Sequence, residues 1–199
     1  MSLDIGMEYQ LIQAVIFDMD GVITDTEPLH MAAERQTCAD HGIDAPIELW
    51  EHFRGRTTFD IFETIVRQCC PGRYDPAKLT AYKVQTYLQL VPSRLTVFPG
   101  VLEFIAACAN KYLLALTTSS TAAIQCEVFR QFALNSFFTV VTTGDQVKNG
   151  KPHPEPYLLT VRRLGLTADK CAVIEDSDSG LCSAAAAGCV PLGITHLSS

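Results

Sequence analysis

The sequence predicts an α/β fold, a parallel and doubly wound sheet interrupted by an all-helical insertion. Three observations carry that reading. Short apolar runs at Ala14–Phe17, which is β-branched, at Leu113–Thr117 and at Cys171–Ile174 read as buried strands. Between the later runs lie apolar residues at helical spacing, and strand–helix alternation implies right-handed crossovers. Residues 27–94 break the alternation, with helical patterns and no convincing strand.

In order, the first strand, Ala14–Phe17, spills directly into Asp18-Met19-Asp20-Gly21-Val22. Thr26 or Glu27 then caps a helix with Pro28 in its first turn, running to about His41-Gly42. Phe62, Ile65, Val66 and Cys69 fall on one face of a second helix that ends at Pro71-Gly72. A third spans Pro76 to about Leu90 and is expected to stop before Pro92. From Phe98-Pro99-Gly100 the alternation resumes. Val101, Ile105 and Cys108 stripe a helix before the Leu113 strand, and Ile124, Val128 and Phe132 stripe the next before Thr139-Val140-Val141. Tyr157, Leu158, Val161 and Leu164 mark a further helix before the Cys171 strand. Leu181, Ala184, Ala185 and Gly188 form a small-residue face, and Val190–Gly193 closes the sheet as an edge strand, where Pro191 is tolerated. The boundaries that follow are 1–26 with 95–199 for the α/β core and 27–94 for the helical insertion.

Composition narrows the function classes. The chain has 199 residues, 48% of them apolar, enough for a buried core and inconsistent with disorder. A net charge of −7 argues against a nucleic-acid partner, whose phosphates require clustered Lys and Arg. No apolar run reaches membrane-spanning length, and the N-terminus shows no signal-peptide core; Met1-Ser2-Leu3 ahead of Met7 reads as a leader. The eight cysteines sit mostly in apolar patterns and lack zinc-ligand spacing, so they read as reduced, buried thiols of a cytoplasmic protein. Gly144 to Lys151 is not a P-loop, because Pro152 replaces the Ser or Thr that would hold a metal. His153 and His196 lack a partner pattern and read as surface residues.

The chemistry-bearing residues follow strands. Asp18 and Asp20 lie at the carboxyl end of the first strand and would face the same way if the chain stayed extended, while Gly21 permits a sharp turn. Two carboxylates so close require a cation or a shared proton, although an Asp-rich turn capping the next helix has the same local pattern. Thr117-Thr118-Ser119-Ser120 follows the Leu113 strand and offers hydroxyls and amides either to an anion or to an ordinary helix cap. Lys151 sits in a loop stiffened by Pro152 and Pro154. Glu175-Asp176-Ser177-Asp178 follows the Cys171 strand. At successive strand ends of one sheet, these residues converge on the crevice where open α/β folds bind ligands.

The ordered set Asp18-x-Asp20-Gly-Val, Thr118-Ser119, Lys151-Pro and Glu175-Asp176-Ser177 resembles the haloacid dehalogenase-like superfamily, in the branch with a helical cap that holds β-phosphoglucomutase and sugar-phosphate phosphatases. The resemblance covers essentially the whole chain. It implies a five-stranded Rossmannoid sheet in spatial order 5-4-1-2-3, Mg²⁺ and an aspartyl-phosphate intermediate. Asp18 would then be the nucleophile, and Asp20 the acid that protonates the leaving oxygen and later activates water. The metal would be held by the Asp18 carboxylate, the Asp20 backbone carbonyl and Asp176, with Glu175 acting directly or through water. Thr118 and the Ser119 amide would bind phosphoryl oxygens, and Lys151 would neutralise them.

His30, Arg56 and Lys83 align with substrate-binding positions of the cap. The mutase pattern expects an Arg three residues after Gly55, where this chain has Thr58 with Arg56 nearer. The expectation is therefore a phosphatase acting on a small phosphorylated metabolite, with β-phosphoglucomutase as the alternative. A non-catalytic binding protein on the same scaffold is a third reading, disfavoured by the intact acids. A monomer or weak homodimer is expected. The chain stops soon after the Val190 strand, where family members continue with a helix, so the C-terminus reads as short and that sheet edge as exposed or covered by a second copy.

Overall fold

Strand β1 (Ala14–Phe17) is buried along its whole length and pairs in parallel with β4 (Leu113–Thr117) on one side and β6 (Cys171–Glu175) on the other. With partners on both sides, this apolar run has every backbone group within reach of the ladder. The computed structural model describes residues 12–50, 53 and 58–195, with the backbone alone at 92 and 93. Within it, β4 pairs with β5 (Val140–Thr142) and β6 with β7 (Val190–Gly193), giving a five-stranded parallel sheet in the order β5-β4-β1-β6-β7. The labels differ from the expected 5-4-1-2-3 because two short strands, β2 (Thr24–Asp25) and β3 (Thr96–Val97), form a separate antiparallel ribbon. Counting only the five strands of the large sheet in chain order, the arrangement reads 5-4-1-2-3 from the β7 edge. The ribbon was not legible as strand: two residues are too few for an alternating pattern.

By contact density the chain divides into two compact units, Met1–Asp25 with Thr96–Ser199 and Thr26–Leu95. In the first, α7 (Glu155–Leu164) and α8 (Asp178–Ala186) cover one sheet face, where Tyr157, Val161 and Ala184 pack with Ala14, Ile16, Ala115 and Val173. On the other face Phe17 meets the edge of Phe104 from α5 (Val101–Ala109) and of Phe138. Helix α6 (Ala122–Gln131) adds Phe129 against Phe138. The edge strand β7 leaves Val190 and Leu192 exposed.

The second unit holds α1 (Glu27–Asp40), a single turn α2 (Ile47–Trp50), α3 (Thr58–Cys69) and α4 (Pro76–Arg94). Its own core gathers Cys38, Ile43, Phe53, Phe62, Ile65 and Leu79. Helix α4 starts on Asp75, whose carboxylate accepts the Ala77 amide. It does not stop before Pro92, as the sequence led us to expect, but runs to Arg94. Proline removes one ladder donor, yet the Leu95 amide still reaches the Val91 carbonyl, and burial of Val91 and Leu95 offsets the loss.

All eight cysteines are free, as read, but not all are buried: Cys126 and Cys182 are exposed and Cys69 and Cys70 half-buried. Cys126 and Cys182 sit on outward faces of α6 and α8, which an apolar count alone does not reveal. No helix among the described residues is long and apolar enough to cross a membrane.

Ile16 is fully buried at the centre of the sheet. Ile16→Ala is expected to cost about 2–5 kcal/mol through the cavity it leaves. Thermal unfolding should show this as a Tm lower by at least ~5 °C, with no change in far-UV circular dichroism at 20 °C.

Candidate active site

Because β1, β4 and β6 run parallel, their carboxyl ends open on one edge of the sheet, and the polar residues that follow each strand meet there. Asp18 continues β1 for one more pairing, its amide bonding the Ile174 carbonyl at 3.0 Å. The chain then turns. The amides of Val22, Ile23 and Thr24 all point to the Met19 carbonyl, and the fully buried Met19 anchors the turn from beneath. Gly21, at φ +83°, lies directly under the Asp176 carboxylate; a Cβ there would come within 2.0 Å of Asp176 Oδ2. The glycine thus admits both the backbone turn and the approach of the acid from β6.

Lys151 closes the group. Its ammonium donates to Asp18 Oδ1 at 2.6 Å, to Glu175 Oε1 at 2.5 Å and to the Thr117 carbonyl at 3.3 Å. Its loop is held by Glu155, which accepts the amides of Lys148 and Asn149, and by Ser183, whose hydroxyl donates to the His153 carbonyl at 2.6 Å. His153 is an exposed loop residue, as read, and His196 lies outside the described residues.

Glu175 is wholly buried, and five donors satisfy it. Oε1 accepts from Lys151 and, at 2.8 Å, from the Tyr157 hydroxyl; Oε2 accepts from the amides of Asp176 and Ser177 and from the Ser177 hydroxyl. It is seated at the N-terminus of α8, and a Cβ on Gly180 would overlap its carboxylate at 1.8 Å.

These contacts divide the acids. Burial pushes Asp18 up to about 7; Lys151 opposes the rise, and the charges of Glu175 and Asp20 add to it. Burial acts in the same direction on Glu175, but Lys151, Tyr157 and the Ser177 amide outweigh it and hold that carboxyl below its usual range. Burial pulls the Lys151 ammonium down, while Asp18 and Glu175 more than compensate and raise it. One lysine thus faces two carboxylates, a local excess of negative charge that a cation would relieve.

The donor set fits such a cation. Asp18, Glu175 and Asp176 each place a carboxylate oxygen within 4.8 Å of the others, and hard oxygen ligands suit a divalent ion of the Mg²⁺ or Ca²⁺ kind. The Asp20 side chain is not in this set. Its Oδ2 accepts from Ser120 Oγ at 2.7 Å and, more weakly, from Thr118 Oγ1 at 3.4 Å. Thr118 is buried and Ser119 exposed at the end of β4.

Within the helical unit, two sequence-predicted residues meet. Lys83 Nζ lies 2.6 Å from His30 Nδ1 and 3.2 Å from Thr58 Oγ1, and His30 stacks on Tyr87 at 4.4 Å between centroids. Glu34, one helical turn after His30, lies 3.8 Å from Lys83 and accepts the Thr58 hydroxyl. Arg56 lies outside the described residues, as does the rest of its Gly55-Arg56-Thr57 segment.

Residues 15–194 match the family model for the haloacid dehalogenase-like hydrolases. The chain belongs to that family. This hydrolase is an enzyme by family. It is 35% identical over 190 residues to a phosphorylated carbohydrates phosphatase of Thermotoga maritima, covering 93% of this chain and 86% of the relative. It is 31% identical over 180 residues to fructose-1-phosphate phosphatase YqaB of Escherichia coli, covering 90% and 95%. The crystal structure of β-phosphoglucomutase from Clostridium difficile superposes with a TM-score of 0.74 at 26% identity, covering 94% and 86%.

Three residues of these clusters escaped the sequence reading. Tyr157 was read only as a helix-core aromatic, and Ser120 only as one hydroxyl of a possible anion site or cap. Glu34 carried a signal, a charge on the buried face of α1 among Leu29, Ala33 and Thr37.

Removing Lys151 leaves Asp18 and Glu175 buried without their counter-charge. Lys151→Met is expected to cost about 3–5 kcal/mol. Calorimetry in the presence of a chelator measures it; a Tm within about 2 °C of wild type would contradict the pairing described.

Proposed function

We propose that this hydrolase is a Mg²⁺-dependent phosphatase that cleaves a small phosphorylated metabolite, a sugar phosphate, through an aspartyl-phosphate intermediate. The observation that carries the proposal is Lys151 bridging Asp18 and Glu175, with Asp176 within reach of the same cation. The names of the two phosphatase relatives support the substrate class. Free thiols support a cytoplasmic location.

Asp18, held by Lys151 on one oxygen, attacks phosphorus with the other. Asp20 in its acid form gives its proton to the ester oxygen as the P–O bond breaks, releasing the alcohol and leaving phosphate on Asp18. The Asp20 carboxylate then takes a proton from water as the water oxygen attacks phosphorus. Asp18 and inorganic phosphate are freed, and Asp20 is an acid again. Lys151, the Thr118 hydroxyl and the Ser119 amide hold the phosphoryl oxygens, and positioning with charge neutralisation is most of what this chemistry needs. A divalent ion on Asp18, Asp176 and the Asp20 carbonyl supplies further neutralisation when bound. Glu175, its oxygens already accepting from five donors, would act on that ion directly or through water. His30, Arg56 and Lys83 contribute substrate contacts from the helical unit.

β-Phosphoglucomutase is the second reading, favoured by the fold likeness to the Clostridium difficile enzyme and by the His30–Lys83 pair. Against it, Thr58 stands where the mutase pattern carries an Arg, and its hydroxyl is engaged with Glu34 and Lys83.

Asp18→Asn is expected to lower turnover by at least ~10³-fold, since an amide is no nucleophile here. Asp20→Ala should lose about 10²-fold or more in kcat with little change in KM, because its work lies in proton transfer. Steady-state phosphate release measures both. A panel of sugar monophosphates with Mg²⁺, including glucose 1-phosphate with and without a bisphosphate primer, separates the readings. Phosphate release is expected to exceed isomer formation, and the reverse would establish the mutase.

A further inference from the structure

The segment that follows β4 is shaped by the end of the neighbouring strand, β5, and by the loop after it. The Thr118 amide donates to the Thr142 carbonyl at 3.0 Å, and the Gly144 amide donates to the Ser120 carbonyl at 2.9 Å. The Ala122 amide, first in α6, donates to Asp145 Oδ1 at 3.3 Å. The same oxygen accepts the hydroxyl of the buried Thr143 at 2.5 Å. Between these contacts Gly144 lies directly on the Ser119 peptide. A Cβ on Gly144 would stand 2.2 Å from the Ser119 carbonyl oxygen and 2.9 Å from its carbon. Both are backbone atoms, which no side-chain rotation can move aside.

We propose that Gly144 and Asp145 are positioning residues that hold Thr118 and Ser119 in their phosphoryl-binding form. The inference rests on the phosphatase reading above. The contacts decide which donors are left over. Thr142 takes the Thr118 amide, Asp145 takes the Ala122 amide, and Thr118 Oγ1 takes the Ser120 amide at 3.0 Å. The Ser119 amide has no partner among the described residues. Because Thr118 Oγ1 accepts from Ser120, the hydroxyl keeps its own proton to donate. One amide and one hydroxyl proton on consecutive residues form the donor pair that an anionic oxygen requires.

Gly144 fixes that pair by its lack of a side chain. Any Cβ at 144 displaces the Ser119 peptide by about 1 Å before ordinary contact is reached, and a misplacement of that size can cost ~10²-fold. Asp145 acts at the other end of the segment. Its carboxylate joins the first amide of α6 to Thr143, so the segment enters its helix at a set distance from β5. Neither residue touches the substrate or exchanges a proton.

Titration calorimetry with inorganic phosphate, in the presence of Mg²⁺, reads the donor pair without turnover. Gly144→Ala is expected to raise the Kd for inorganic phosphate and the KM for a sugar phosphate by about tenfold or more. Asp145→Ala and Asp145→Asn each remove one negative charge, but only Asn keeps an oxygen for Thr143 and Ala122. Asp145→Ala is therefore expected to bind phosphate about threefold or more weakly than Asp145→Asn. This exposed pair decides the matter even if Gly144→Ala does not fold.

A folded Gly144→Ala with a lower Tm and unchanged phosphate affinity, or equal affinities in the two Asp145 variants, would overturn the proposal. Wild-type protein that binds inorganic phosphate but releases none from any sugar monophosphate would instead overturn the phosphatase reading, with the Asp145 pair still deciding the part played by the loop.

Discussion

An uncompensated negative charge at the carboxyl ends of β1 and β6 is the constraint around which this edge of the sheet is built. Asp18, Glu175 and Asp176 crowd one edge of a parallel sheet, and Lys151 is the cation that bridges the first two. Asp176 is exposed, but burying Asp18 and Glu175 is costly unless their oxygens are paired. The surroundings answer that cost locally: five donors on Glu175, a helix N-terminus beneath it, and glycines at 21 and 180 where any side chain would collide with a carboxylate. What remains unbalanced is a charge suited to a hard divalent ion, and the proposed chemistry uses it.

The acids divide their tasks through their neighbours and not through their identities. Glu175 has both oxygens filled and stays ionised, so it acts as a fixed anchor for Lys151. Asp18 has one oxygen on Lys151 and places a carboxylate oxygen within 4.8 Å of one from Glu175 and one from Asp176. Asp20, two residues along, looks away toward the hydroxyls that follow β4. Two aspartates one residue apart thus reach different partners because the turn at Met19-Asp20-Gly21 sends the second side chain toward the hydroxyls after β4. The helical unit has a polar interior of its own, in which a buried lysine is matched by His30, Thr58 and Glu34.

Most of this was legible in the amino-acid sequence, and for physical reasons. The short apolar runs at 14–17, 113–117 and 171–174, alternating with helical patterns, read as strands of one parallel sheet, and polar residues immediately after such runs emerge at the same edge. The ordered acids, Lys151 and the hydroxyls were readable on that logic. Less legible were features that depend on neighbours distant in sequence. Helix α4 passes Pro92 because Val91 and Leu95 are buried, which the proline rule does not encode. Ser120 became notable once its hydroxyl was found on Asp20, a hundred residues earlier. Glu34 looked like a charge on a helix face until Lys83, from another helix, met it there.

The sequence alone therefore determined the fold class, the family and the residue types available at the sheet edge, since those depend on local pattern and chain order. Only the tertiary structure decided which acid is anchored, which turns to the hydroxyls after β4, and which oxygen of Asp20 lies without a partner among the described residues. Those properties belong to the distances between segments of chain that meet only on folding, and no spacing along the chain contains them.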